Sequence, residues 1–156
     1  MGAGKSTIGR RLAKKLGWKF IDLDEEIERR ERRPITEIFR QDGEPHFRSL
    51  ENLCFKELSS STKAVIALGG GAFMDPENRN LAENTGLTVW VKASFPKIVD
   101  RVKMDGTRPK FADKGQAEDL YQKREPLYAL AKVHILTDDG TPDSAADEII
   151  GVLRRL

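Results

Sequence analysis

The sequence predicts an α/β layered fold built on a parallel sheet, and three observations carry that prediction. Strand-like runs alternate with helical segments along the chain, an order that implies parallel strands joined by right-handed crossovers. One run, Ala64-Val65-Ile66-Ala67-Leu68, is continuously apolar and suits a strand covered on both faces. A glycine-lysine-serine stretch, Gly2-Ala3-Gly4-Lys5-Ser6-Thr7, leads straight into a helical pattern. At 156 residues the chain is long enough to bury about two thirds of its unfolded surface in one core. A single domain over residues 1–156 is therefore expected.

Ile8, Leu12 and Leu16 recur at helical spacing from Ser6 onward, and Gly17 stands where a left-handed cap would end the helix. Trp18 to Asp24 reads as a short strand ending in carboxylates, and a charged helix follows from about Glu25 to Arg32. Pro34 restarts the chain, Ile35, Ile38 and Phe39 mark a brief helix, and Gly43 closes it. A second helix places Phe47, Leu50, Cys54 and Leu58 on one face and leads to the Ala64–Leu68 strand, which ends at Gly69-Gly70-Gly71. Leu87–Val91 and Val133–Leu136 are further strands. Helices are expected around Asn78–Glu83, Pro96–Val102, Glu118–Arg124 and Ser144–Leu156. No internal repeat, linker or low-complexity tract interrupts this order.

Charge narrows the classes of partner. Lys plus Arg number 27 against 25 Asp plus Glu, a net charge of +2, so the composition makes no general case for nucleic acid or an anionic membrane. No apolar run approaches the roughly 20 residues that span a bilayer, and the N-terminus lacks a signal peptide's basic-then-apolar order. Cys54, the single cysteine, lies in an apolar helical pattern and is expected to be a buried hydrophobe. The expected setting is reducing cytoplasm, and His46 and His134 lack metal-ligand spacing and read as structural.

A full phosphate-binding loop reads G-x-x-x-x-G-K-[ST] between a buried strand and a helix, so that backbone N–H groups face phosphate oxygens. Gly2 to Thr7 supply its last part. Lys5 is placed to reach the β- and γ-phosphates of a nucleoside triphosphate, and the Ser6 hydroxyl to ligate Mg²⁺. The first glycine and the preceding strand would stand before Met1, which reads as an internal methionine of the original loop. Loss of a central strand would remove two ladders of hydrogen bonds and exceed the roughly 5 to 15 kcal/mol that holds a domain together. Asp22 and Asp24, two apart, point the same way if both lie at a strand end, one acting through Mg²⁺ and the other on a substrate hydroxyl. The alternative is that Asp24 caps the helix after it. Gly69, Gly70 and Gly71 mark either a tight turn or a ligand lying against backbone. Arg108, between Gly106 and Gly115, fits a hinged loop closing over phosphates, and Arg48, Arg101 and Arg124 complete the separable arginines.

Together, G-A-G-K-S-T-I-G-R-x-L-A, F-x-D-x-D-x-x-I-E, I-x-x-I-F, G-E-x-x-F-R-x-x-E, G-G-G, R-P and R-x-P-L-Y resemble shikimate kinase over essentially the whole chain. The resemblance implies ATP-dependent phosphorylation of the 3-hydroxyl of shikimate, and a monomer is expected. It implies a three-layer P-loop, nucleoside-monophosphate-kinase-like fold with a five-stranded parallel sheet and a mobile lid at about 103–116, here without the first, central strand. Carried over by residue, Gly2, Ala3, Gly4, Lys5, Ser6 and Thr7 would hold ATP, with Ser6 on Mg²⁺ and Asp22 supporting the metal through water. Asp24 would bind the reacting hydroxyl as candidate base. Arg48 and Arg124 would pair with the shikimate carboxylate, a task suited to the guanidinium fork, with Glu51 orienting Arg48. Gly69, Gly70 and Gly71 would line the ring, Arg108 would reach the phosphates, and Arg101 and Pro142 would sandwich adenine.

Lys110 and Phe111 stand where the family usually has two apolar residues after the lid R-P. Two competing readings are a related small-molecule kinase such as a gluconate kinase and a truncated, non-catalytic nucleotide-binding protein. The Phe47-Arg48, triple-glycine and Arg124–Tyr128 elements speak against a related kinase with a neutral-polyol or nucleotide site, which has no evident need for a carboxylate clamp. Tight MgATP binding with cooperative unfolding would speak against the second.

Overall fold

The structure, a computed structural model, describes residues 3–105 and 114–156. The chain forms two compact units, one of Ala13–Leu87 and one of Met1–Leu12 with Thr88–Leu156. Helix α1 (Lys5–Leu16) runs from one into the other. Its end follows the sequence expectation: Gly17 has φ +66°, its N–H donates to the Lys14 carbonyl at 3.3 Å, and the Trp18 N–H donates to the Ala13 carbonyl at 2.9 Å. These two bonds are the pair that a left-handed glycine makes available to the last carbonyls of a helix.

In the Ala13–Leu87 unit, β1 (Lys19–Asp22) pairs in parallel with β2 (Ala64–Ala67), Lys19 opposite Ala64 and Asp22 opposite Ala67. The strand stops two residues short of Asp24. Helix α2 (Leu23–Glu31) begins at once because the Asp22 side chain accepts the Asp24 and Glu25 N–H groups, at 3.1 and 3.4 Å, and satisfies two otherwise orphaned donors. Leu23 and Ile27, four apart, form the buried stripe of α2. Arg32 ends it in a left-handed conformation (φ 56°, ψ 31°) that a non-glycine residue adopts at a cost.

The two helices expected on either side of Gly43 form one 24-residue element, α3 (Ile35–Leu58), kinked at Gly43 (φ 83°, ψ 170°). The break also accommodates Pro45: so soon after the non-helical residue, its missing N–H would have had no helical acceptor. Ile38, Phe47, Cys54 and Phe55 are buried on α3, and the Phe39 and Phe47 rings lie 4.8 Å apart. Cys54 is the small buried hydrophobe expected, and burial pushes its thiol pKa up. The apolar Ala64–Leu68 run is shorter and less covered than expected: only Ala67 is buried within β2, which has one ladder partner. After Gly69-Gly70-Gly71, a 3₁₀ turn (Ala72–Met74) leads into α4 (Pro76–Thr85), capped by Asp75.

In the other unit, β3 (Val89–Lys92) pairs in parallel with β4 (Val133–Leu136), Val89 opposite Val133 and Lys92 opposite Leu136. Where the resemblance implies five strands, the described residues hold four, in two parallel pairs. Helices α5 (Phe95–Asp105), α6 (Lys114–Tyr128) and α7 (Pro142–Leu153) complete this unit. Ala3, Ala93 and Ile98 form a buried cluster against Val91 and Tyr121. Helix α6 continues past Arg124 through Pro126, whose missing N–H affects only the last turn. Most of the expected lid, residues 106–113 with Arg108, Lys110 and Phe111, lies outside the described residues. Among the described residues no helix is long and apolar enough to cross a membrane.

Candidate active site

The Ala13–Leu87 unit gathers the expected site residues Asp24, Arg48 and Glu51 around the turn at Gly69 to Gly71. Gly69 accepts the Ala72 N–H and Gly71 the Met74 N–H, at 3.1 and 3.0 Å, so the glycines are held in a tight bend. A Cβ at Gly69 would come within 2.7 Å of Asp24 Oδ1 and 3.2 Å of Glu51 Oε1. A Cβ at Gly71 would fall on the Arg48 guanidinium, 2.5 Å from its central carbon. Both contacts are closer than a real Cβ makes, so a side chain at either position would push Asp24 or Arg48 aside; the constraint is space, because the backbone at Gly71, with φ −95°, is one any residue adopts. Asp24, Glu51 and Arg48 therefore converge on bare backbone.

Arg48 is held from both sides along its own helix. Its Nη1 donates to Glu51 Oε2 at 2.8 Å and its Nη2 to Glu44 Oε1 at 3.0 Å, while its guanidinium carbon lies 5.2 Å from the Phe47 ring centroid. Burial disfavours the guanidinium charge, but the bonds to Glu51 and Glu44 outweigh it and hold the pKa above the ordinary arginine value. Glu51, 1% exposed, is buried as a partner of Arg48.

Sequence reasoning missed the polar network behind the glycine turn. Asn78, 3% exposed, donates from Nδ2 to the Ala72 carbonyl at 3.1 Å and to Asn52 Oδ1 at 2.7 Å. Asn52 donates to Asp75 Oδ2 at 3.1 Å, and the other Asp75 oxygen caps α4 through the Glu77 and Asn78 N–H groups. Burial works against the Asp75 charge, yet these hydrogen bonds keep its carboxyl below the usual range. Arg79 adds bonds to the Phe73 and Met74 carbonyls at 3.0 and 2.8 Å. Every carbonyl from Ala72 to Met74 is thus tied to α4.

The expected orientation of Asp22 and Asp24 along one strand end is corrected. Asp22 caps α2, and Asp24 is in its first turn, turned onto Gly69. Asp24 is not the cap. An N-cap aspartate beside the end of a parallel strand left a signal in Asp22-Leu23-Asp24-Glu25, where acidic residues fill the first helical turn.

In the other unit, Lys5, Ser6 and Thr7 occupy the first turn of α1, and the Ile8 N–H bonds the Gly4 carbonyl at 2.9 Å. Gly4 has φ +90°, a conformation glycine adopts readily, while Gly2 lies outside the described residues. Arg101 bonds Thr137 twice, Nη2 to the carbonyl at 2.6 Å and Nη1 to Oγ1 at 3.3 Å. The buried Thr137 hydroxyl lies 3.3 Å from the Ala3 carbonyl and 3.1 Å from the Lys92 carbonyl, so it links the loop, the end of β3 and α5. Sequence reasoning missed Thr137 as well. Pro142 is the first residue of α7, after a Thr141 cap. Arg124, on α6, lines a small cleft with Ala3, Trp90, Tyr121 and Tyr128. His46 is exposed, and His134 Nε2 lies 3.1 and 3.0 Å from the Ala129 and Ala131 carbonyls, a local structural tie. Among the described residues no group of three His, Cys, Asp or Glu could hold a metal ion by itself.

The family model for shikimate kinase matches residues 1–154. The shikimate kinase of Persephonella marina is 37% identical over 155 residues, which cover 99% of this chain and 94% of that one. The structure of shikimate kinase from Acinetobacter baumannii in complex with shikimate superposes with a TM-score of 0.93 at 35% identity, covering 99% of this chain and 89% of that one. Deoxyadenosine kinase from M. mycoides, at 19% identity and a TM-score of 0.62 over 100% of this chain and 96% of that one, shares the fold. The motifs, the kinase fold and a family match over almost the whole length agree, and the chain belongs to the shikimate kinase family.

Proposed function

We infer that the protein transfers the γ-phosphoryl group of ATP to the 3-hydroxyl of shikimate, giving shikimate 3-phosphate in aromatic amino-acid biosynthesis. The observation that carries this reading is the convergence of Asp24, Glu51 and Arg48 on the Gly69 to Gly71 turn in a chain of this family. Bare glycine backbone leaves room for a ring to lie close against it. A fixed guanidinium suits a ring carboxylate, and a nearby aspartate suits a hydroxyl.

In this reading Asp24 accepts the proton of the 3-hydroxyl as its oxygen attacks phosphorus, and the bond to the bridging oxygen of ADP breaks. Arg48 and Arg124 bind the carboxylate, Glu51 orients Arg48, and Gly69, Gly70 and Gly71 lie against the ring. Gly2, Ala3, Gly4, Lys5, Ser6 and Thr7 hold the phosphates, Lys5 following the charge that develops on the transferred group. Arg101 and Pro142 flank adenine, and Arg108 reaches the phosphates from the lid. Phosphoryl transfer of this kind uses Mg²⁺ to neutralise phosphate charge. A serine hydroxyl at a helix start and a water-bridging aspartate are the hard oxygen donors it prefers beside phosphates. For that role Ser6 is in the first turn of α1, and the Asp22 carboxylate is fixed by the two N–H groups it caps. The protein is further proposed to act as a cytoplasmic monomer without nucleic-acid or membrane partners.

The test is ADP release from MgATP by the chain with shikimate, gluconate and nucleoside monophosphates supplied separately. Turnover with shikimate alone is expected. Preference for gluconate would favour the related-kinase reading, and weak MgATP binding without turnover on any acceptor would favour a non-catalytic protein.

A further inference from the structure

Arg48 has two carboxylate partners on α3, and they differ in kind. Glu51 is 1% exposed and Glu44 is 56% exposed, with the Arg48 side chain itself at 29%. Glu51 takes Nη1; Glu44, one turn earlier and directly after the Gly43 break, takes Nη2. A guanidinium offers a carboxylate two faces for two-point binding, the end formed by Nη1 and Nη2 and the side formed by Nε and Nη2. Both include Nη2. Nη2 carries two N–H groups and Glu44 holds one of them, so an incoming carboxylate that grips Arg48 by its fork meets a second negative charge at the nitrogen it needs.

We propose that Glu44 is a built-in competitor of the substrate carboxylate, occupying Nη2 of Arg48 and setting acceptor affinity by its displacement. The proposal rests on the reading of Arg48 as a carboxylate ligand. Glu44 is suited to leave: an exposed pair spaced i, i+4 on a helix is weak, and its free carboxylate regains water. Glu51 is suited to stay, since its departure would strand a charge in the interior. Glu44 also places a negative charge beside the incoming one. Its position at the start of the helical stretch after Gly43 keeps it there, because a carboxylate is favoured at a helix N-terminus.

The test is isothermal titration of the full chain with shikimate and with its neutral carboxamide, comparing the parent, Glu44→Gln and Arg48→Lys, with thermal unfolding to confirm each fold. Glu44→Gln is expected to tighten shikimate about two- to fivefold, the range set by removing an exposed ion pair, and to leave the carboxamide and MgATP where they were. Unchanged or weakened shikimate binding, or equal tightening of shikimate and carboxamide, would overturn the competitor role. Arg48→Lys separates the two levels: if it binds shikimate at least about tenfold more weakly, a loss expected when a fork becomes a point charge, the ligand reading stands whatever Glu44 does. Parent-like binding by Arg48→Lys, or no binding of shikimate by the parent, would overturn both.

Discussion

Replacing Gly71 by alanine adds one methyl group, and the structure fixes what that group meets. The new Cβ would lie 2.5 Å from the Arg48 guanidinium carbon, where an ordinary contact needs at least 3.4 Å. Arg48 must then swing away, because the opposing atom belongs to the turn's backbone, which Asn78 and Arg79 tie to α4. Moving the guanidinium breaks its 2.8 Å bond to Glu51 and withdraws the proposed fork for the substrate carboxylate. A charge-assisted hydrogen bond is worth about 1.5 to 3 kcal/mol, so shikimate KM should rise about 10- to 150-fold. MgATP should keep its KM. Steady-state kinetics with each substrate varied in turn, beside thermal unfolding, reads both effects. Gly86→Ala is the control, since its Cβ would meet only the Ala82 carbonyl at 4.0 Å. A Gly71→Ala protein that folds with parental shikimate KM would refute the reasoning, because Arg48 would then not be held against the turn in any way that matters for binding.

Three other perturbations test separate parts of the molecule. Lys5→Ala should lower kcat by at least about 100-fold while the fold persists, if Lys5 follows charge on the transferring phosphoryl group; a near-parental rate would remove it from the loop assignment. Arg32→Gly should raise the unfolding free energy by up to about 1 kcal/mol, because Arg32 ends α2 in the left-handed region; a lowered Tm would contradict this. Bonds from Arg29 and Arg30 hold the Glu26 carboxyl at about 2, below its usual value of 4.5. A depressed folded-state pKa stabilises above the unfolded value, and that share is lost as pH falls between about 4.5 and 2. Solvent screening limits it to about 1 kcal/mol. Glu26→Gln should therefore narrow the stability gap between pH 6 and pH 2 in denaturant titrations, and an unchanged gap would show that the pair is silent.

The parts of this molecule legible in its sequence are those whose signal is local. Gly17 ends α1 because only glycine enters that conformation without strain, and Val133–Leu136 is a strand with the expected bounds. Helix starts and ends elsewhere shifted by a few residues, most tellingly at Asp22, where capping drew the helix forward and took Asp24 out of the strand. The triple glycine announced a bend but not its reason, since neither Arg48 nor Asp24 is near it in sequence. Asn52 and Asn78 carried no signal at all. An asparagine on a helix reads as solvated until tertiary structure brings two of them together, 26 residues apart.

Those two asparagines explain how a turn without side chains can position anything. Three consecutive glycines are flexible by themselves, and backbone entropy favours their disorder. The two turn bonds at Gly69 and Gly71 are of the kind that opens easily near solvent. What holds the bend is the strip that follows it: Ala72 and Phe73 are buried, and the 72–74 carbonyls are bound by Asn78 and Arg79. Asn78 is oriented by Asn52, and Asn52 by the Asp75 carboxylate that also starts α4. Because Asn52 and Glu51 are neighbours on α3, the same helix that carries Arg48 fixes the backbone that Arg48 faces. Arg48 and the glycine turn are therefore registered to one another through α3, which is the arrangement the proposed acceptor site would need.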